Sequence, residues 1–259
     1  MKYNILDEYK KYLVLCGLTK TTVNTYHNKM DNLLKGQNFI KIGEETDLIM
    51  VLDILSKIKY KVYFSQSKNA LLYYLKCFDM RLTNEQLNLI KEIEKTRVKK
   101  YRKLKDTEYK KVNATIQRLK NKKLKLSFLT IMETGLRVSE LSQIKASDCI
   151  IGNEKIKFSF IGKGGKAESA IIEKVVSPNL YKNLEYIIKH SSDDDKLFLS
   201  ANYLQLKAKE YGFTCHTLRR IYAKKEYKRT RSKKQVKEKL RHDSMKTTNR
   251  YLNSRVKMD

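Results

Sequence analysis

The chain has 259 residues, with 56 Lys and Arg against 28 Asp and Glu, for a formal charge of +28. At 41% hydrophobic and 10% aromatic it is too apolar for a disordered chain and long enough to bury one large core or two modest ones. No apolar run approaches the ~18–20 residues that span a bilayer, and the N-terminus has no apolar signal region, which excludes a secreted or membrane protein and predicts a cytoplasmic one.

Residues 1–95 carry helical spacing of apolar side chains. Ile5, Leu6, Tyr9, Tyr12 and Leu13 predict a first helix ended by Gly17. A second, capped by Thr19 or Thr21, runs through Tyr26, Met30, Leu33 and Leu34 to Gly36. A third is predicted over about 44–58 (Leu48, Val51, Leu52, Ile54, Leu55), and a fourth over about 66–78 (Leu71, Leu72, Leu75, Phe78). Thr83 opens a fifth through Leu87, Ile90 and Ile93. With no acid three residues on, a simple cap is expected there.

Residues 96–111, rich in RVKKYRKLKDTEYKK, read as a basic linker, with an exposed helical extension as the alternative. A second helical region is predicted over about 112–146. A β patch follows, with strands at 149–151, 155–161 and 168–173 and a glycine-rich hairpin turn in IGKGGKAE. Ser177-Pro178 opens a helix, and helices are expected to fill most of the remainder. The fold class is therefore mainly α with a small antiparallel β-sheet. One proline and nine glycines leave little room for turn-rich β architecture.

The charge is unevenly placed. Residues 96–125 carry 13 basic and 2 acidic side chains, and residues 216–259 carry 16 and 4. Codon bias would spread lysine evenly, whereas concentrated charge points to a polyanion, because each cation set on a phosphate releases counterions. Lys99, Lys100, Arg102, Lys103 and Lys105 are candidate phosphate contacts, as are Lys166 and Arg220. Such contacts position a duplex without reading its bases. The scattered cysteines Cys16, Cys77, Cys149 and Cys215 have no metal-ligand or disulfide spacing, so no metal site is expected. No phosphate-binding loop motif appears either, so neither ATP nor another cofactor is expected.

Of the four histidines, His27 and His190 lie among ordinary polar helix residues and read as structural. The other two belong to a constellation: Arg137 and Glu140 in ETGLRVSEL, Lys163 in the hairpin turn, His216 and Arg219 in HTLR, and His242 nine residues before Tyr251. These residues resemble the tyrosine recombinase (phage integrase) family, in its simple Xer-like form without an arm-binding domain. The resemblance covers about 112–259 residue by residue, and the interval of 23 residues from Arg219 to His242 fits it. Over 1–95 it rests only on the family's short helical core-binding domain.

The resemblance implies three parts: a helical core DNA-binding domain at 1–95, the linker at 96–111 and a mixed α+β catalytic domain at 112–259. It implies metal- and ATP-independent cleavage of DNA, with Tyr251 as nucleophile and a 3′-phosphotyrosyl intermediate. Arg137 and Arg219 would bind the phosphate oxygens. His216 would act as base for the tyrosine, His242 as a donor to the phosphate, and Lys163 as acid for the leaving oxygen, with Lys166 as the alternative acid. Glu140 would orient an arginine or histidine; the plainer alternative is a surface helix acid. The implied partners are double-stranded DNA with an inverted-repeat core site and a homo-tetramer assembled on it, with or without accessory DNA-binding proteins. Rival readings are a type IB topoisomerase-like relaxation activity and a non-catalytic DNA-binding regulator on the same fold.

The sequence departs from the family at Arg220, where histidine is common, and at Arg241, where glycine is common. Eight residues follow Tyr251, so the C-terminal element by which relatives couple their protomers is expected to be short or absent.

Overall fold

The computed structural model describes residues 2–35, 45–97, 107–162, 164–254 and 256–258. The chain forms two compact units, Met1–Lys103 and Leu104–Asp259. The first contains helices α1 (Lys2–Leu15), α2 (Lys20–Leu34), α3 (Glu45–Ser56), α4 (Lys61–Cys77) and α5 (Asn84–Lys95). Their apolar stripes meet in one core, in which Tyr9, Leu13, Met30, Val51, Leu55, Phe64, Leu71 and Tyr74 are fully buried. The Tyr9 hydroxyl donates to the Ala70 carbonyl at 2.7 Å, so α1 and α4 are joined by a satisfied polar contact as well as by packing.

Two helices differ in detail from the expectations, and a third settles an alternative. Helix α4 begins at Lys61, five residues earlier than its apolar spacing suggests, and so buries Phe64; Leu72 faces outward at 38% exposure. Helix α5 opens with a full capping box, not a simple cap. Thr83 Oγ1 accepts from the Gln86 N–H at 3.2 Å, and Gln86 Oε1 accepts from the Thr83 N–H at 2.9 Å. A glutamine amide reaches back as well as an acid does. Helix α2 is capped by Thr19, whose hydroxyl accepts from the Thr22 N–H.

The second unit begins with β1 (Thr107–Glu108), then α6 (Tyr109–Gln117), α7 (Lys122–Thr134) and the single turn α8 (Val138–Leu141). The predicted linker thus ends in a strand and the start of a helix, because Val112 and Ile116 of α6 enter the core. The region 112–146 is broken by caps, Asn121 before α7 and left-handed Gly135 after it. Strands β2 (Cys149–Ile151), β3 (Lys155–Ile161) and β4 (Ala167–Glu173) form an antiparallel sheet in that order, with Phe158 opposite Ala170 and Ile156 opposite Ile172. Ile156, Phe158 and Phe160 alternate inward while Lys155 and Lys157 face solvent, the period-two pattern of a sheet covered on one side.

Helices α9 (Pro178–Lys189), α10 (Ala201–Glu210), α11 (Cys215–Thr230), α12 (Lys233–Lys239) and α13 (Met245–Leu252) complete the unit. Leu218 and Ile221 of α11 share the buried core with Phe128 and Ile131 of α7. The end of the described chain is not helical. Strand β5 (Val256–Lys257) pairs in parallel with β1, Val256 opposite Thr107. Lys224 Nζ donates to the carbonyls of Ser254 at 2.8 Å and Val256 at 2.6 Å, and Val256 is buried. A two-residue pairing held by a distant lysine leaves no periodic signal in sequence, and helices α9–α13 fill most of the region after Pro178 as expected. Among the described residues, no helix is long and apolar enough to cross a membrane, and none of the four cysteines is in a disulfide.

Candidate active site

Gly135, the C-cap of α7, starts the site. Its φ of +62° is one that a side chain makes costly, and a Cβ there would lie 2.4 Å from the Tyr222 ring. The turn delivers Leu136 into the core and leaves Arg137 as N-cap of α8. Glu140, at the third position of that turn, accepts from the Arg137 N–H at 2.7 Å and from Arg137 Nη1 at 2.5 Å. It is a buried acid and not a surface one, its side chain only 4% exposed. Burial opposes its ionisation, but the bonds from Arg137 and the charges of Arg137 and Arg241 outweigh that and hold its carboxyl below the usual range.

Arg219 comes from the second turn of α11 and is 1% exposed. Its two terminal nitrogens donate to the carbonyl oxygens of Gly135 and Leu240, and Glu140 Oε2 lies 3.9 Å away. Each terminal nitrogen retains a second N–H. Desolvation, with Arg137 and Arg241 nearby, pulls its pKa down to about 10, so the guanidinium stays charged at neutral pH. The structure therefore seats Arg219 in the floor of the site.

Two histidines flank Tyr251. The His242 ring stands 4.7 Å from the tyrosine ring, centroid to centroid, and the His216 ring 6.4 Å, both edge-on. Burial first, then Arg219, Arg137 and Arg241, push His242 down to about 4. Desolvation together with Arg219, Arg220 and Arg137 lowers His216 as well. Both imidazoles are consequently neutral at pH 7. His242 Nδ1 sits 3.0 Å from the hydroxyl of Thr248, which is fully buried on α13 one turn before Tyr251. The contact couples the imidazole tautomer to this hydroxyl: the proton sits on Nε2 when the hydroxyl donates and on Nδ1 when it accepts.

Two more arginines border this group. Arg220 Cζ lies 5.9 Å from the Tyr251 ring centroid. Arg241 adopts a left-handed backbone, φ +54°, costing about 1–2 kcal/mol for a side chain of ordinary bulk. Its guanidinium reaches Glu140 Oε2 at 3.5 Å and Glu168 Oε2 at 3.1 Å.

The structure thus brings together Arg137, Glu140, His216, Arg219, Arg220, His242 and Tyr251. Lys166 lies exposed in the hairpin turn. Lys163, Lys99, Lys100, Arg102, Lys103 and Lys105 lie outside the described residues. Of the two histidines read as structural, His190 stacks on Tyr186 with centroids 4.1 Å apart, away from the constellation in sequence and in contacts. Sequence reading missed Thr248 and the side-chain reach of Arg241. The one available signal for Thr248 was its position three residues before Tyr251, on the same helix face. Among the described residues, no group of three or more His, Cys, Asp or Glu side chains converges to hold a metal.

The site thus holds a tyrosine ring edge-on to two imidazoles in an arginine-rich setting, an arrangement suited to an anionic ligand. The family model for the phage integrase family matches residues 102–258. The chain belongs to the phage integrase family. It is 29% identical over 274 residues to the tyrosine recombinase XerA of Pyrococcus furiosus, an alignment covering 97% of this chain and 90% of that one. It is 27% identical over 265 residues to the XerA of Thermococcus onnurineus, covering 95% and 89%. Among solved structures, lambda integrase bound to DNA has the same fold, with a TM-score of 0.68 at 17% identity over 98% of this chain and 96% of that one. The XerH site-specific recombinase bound to its difH substrate gives 0.60 at 19% over 88% and 74%.

Proposed function

We infer that this chain is a site-specific DNA recombinase that cuts and rejoins strands through a 3′-phosphotyrosyl bond. The observation that carries the reading is the position of Tyr251, its ring flanked by those of His242 and His216 beside the buried Arg219. Tyr251 Oη attacks the scissile phosphorus, an Oη–P bond forms, and the bond from phosphorus to the 5′-oxygen breaks. His216, kept neutral by its surroundings, takes the phenolic proton. The pentacoordinate state gathers charge on the non-bridging oxygens. Arg137 and Arg219 oppose that charge, and His242 donates from Nε2. Lys163, with Lys166 as the alternative, protonates the departing 5′-oxygen. Attack by a different 5′-hydroxyl reverses the steps and exchanges strands.

In this reading residues 1–95 grip the core site, 112–259 carry the chemistry, and the basic residues of 96–111 follow the phosphate backbone. The duplex carries an inverted repeat and assembles a homo-tetramer. This draws support from the similarity to lambda integrase, solved as a tetramer bound to a Holliday junction (TM-score 0.66). The core site is first selected from random duplexes by binding. A nicked duplex carrying it is then incubated with enzyme and run on a denaturing gel. The expected result is a covalent protein–DNA band with the unaltered chain and none with Tyr251→Phe, which still shifts the duplex on a native gel. A covalent band that persists in Tyr251→Phe places the nucleophile elsewhere.

A further inference from the structure

We propose that Arg241 is a positioning residue that ties the β3–β4 hairpin to the arginine floor, holding the hairpin turn on the leaving-group side of the scissile phosphate. The proposal rests on the reading above, in which a turn lysine supplies the leaving-group proton.

Three observations carry it. First, Arg241 holds a left-handed backbone position that glycine suits better, φ +54°, directly before buried His242. Its side chain is nevertheless 10% exposed, drawn wholly inward. Second, the guanidinium spans two otherwise separate parts of the unit. On one side Nη2 lies 3.5 Å from Glu140 Oε2, the carboxylate that holds Arg137, and 3.5 Å from the Gly135 carbonyl. On the other, Nε lies 3.1 Å from Glu168 Oε2 and Nη1 lies 3.5 Å from the Ser169 carbonyl, both on β4. The Phe160 ring of β3 lies 5.1 Å beneath it. Third, the Glu168 carboxyl packs against Gly162, the first residue of the turn. A Cβ at that glycine would come within 2.5 Å of it. One cation thus lies in ion-pair distance of both the carboxylate packed against the turn and the carboxylate that orients the floor. Phe158, Ala170 and Ile172 anchor the body of the sheet in the core, whereas Ile161 and Ala167 at the turn end are exposed, and Arg241 lies against that end.

The experiment uses the full chain on two nicked duplexes carrying the selected core site. One has the ordinary scissile phosphate. The other has sulfur in place of the bridging 5′-oxygen, a leaving group that needs no proton. Arg241→Gly suits the left-handed backbone, and its melting curve checks that it folds. On the ordinary duplex it is expected to form the covalent complex about tenfold or more slowly than the unaltered chain. Its binding should stay within about twofold, and the sulfur duplex should remove most of the deficit. Glu168→Gln should behave alike, and the double variant should be no slower than Arg241→Gly alone. Arg241→Lys should recover part of the rate.

Wild-type speed of Arg241→Gly on the ordinary duplex overturns the proposal. So does a deficit that persists undiminished on the sulfur duplex, since the residue then acts through Arg137 or through folding. If the unaltered chain forms no covalent complex on either duplex, the recombinase reading itself fails, a different result from both.

Discussion

Glu140 holds Arg137 at both ends, accepting its backbone N–H at 2.7 Å on one oxygen and its guanidinium at 2.5 Å on the other. The same carboxylate lies 3.9 Å from Arg219 and 3.5 Å from Arg241, so one buried anion faces three cations. Glu140→Gln keeps an acceptor for the N–H and removes the charge. We expect covalent-complex formation to fall about 10–100-fold, as when the partner that orients an active group is lost. Unfolding free energy should fall by about 3–5 kcal/mol, because the arginines stay buried without their counter-charge. Suicide-substrate kinetics and urea unfolding check both; wild-type kinetics would show that Glu140 only shapes the turn.

The Thr248 hydroxyl and the His242 tautomer are coupled through one hydrogen bond. Thr248→Val keeps the volume and removes the hydroxyl 3.0 Å from Nδ1, freeing the imidazole to adopt the other tautomer. Cleavage is expected to slow about tenfold with unchanged DNA binding, and Thr248→Ser is expected to restore it. An NMR measurement of the His242 ring nitrogens should show the proton on Nε2 in the parent and a mixture in Thr248→Val.

Acid should weaken the second unit in a defined window. His242 has its pKa lowered from an ordinary 6.5 to about 4, so the unfolded chain binds this proton more readily than the folded one. Its stabilising contribution is complete above about pH 6.5 and disappears as pH falls toward 4. Between pH 7 and 5 the loss should be about 2 kcal/mol, and His216, lowered in the same direction, adds to it. Glu140, held below its usual range, contributes a loss only at still lower pH. Urea titrations at the two pH values should show the drop in the parent chain and a smaller one in His242→Asn.

Gly135→Ala joins a strained φ of +62° to a Cβ only 2.4 Å from the Tyr222 ring and 2.8 Å from Leu240. The carbonyl that receives Arg219 belongs to this same residue. A destabilisation of about 2–4 kcal/mol is expected, with loss of covalent-complex formation. Thermal unfolding measures the first; a melting point equal to the parent would mean that Tyr222 gives way freely.

Several parts of this protein were legible from the chain itself because they depend on neighbours a few residues apart. The helices of residues 1–95 follow from spacing such as Tyr9 to Leu13, and the β3–β4 hairpin from alternation around its glycines. Arg137 with Glu140 and His216 with Arg219 are pairs three residues apart, so their shared turns could be read directly. Even there the reading was incomplete, as the Gln86 amide in the capping box shows.

The tertiary structure alone decided which of these groups meet and how each is charged. Arg241 and Glu140 stand 101 positions apart, and Arg137 and the Arg241 carbonyl 104, separations over which no periodicity operates. The pairing of β5 with β1 joins the two ends of the second unit through two residues each. The burial of Glu140 and the neutral state of His242 arise from desolvation by elements contributed throughout that unit. Local patterning selects helices, turns and residue types; the dielectric and the partners around a titratable group exist only once distant segments have packed against it.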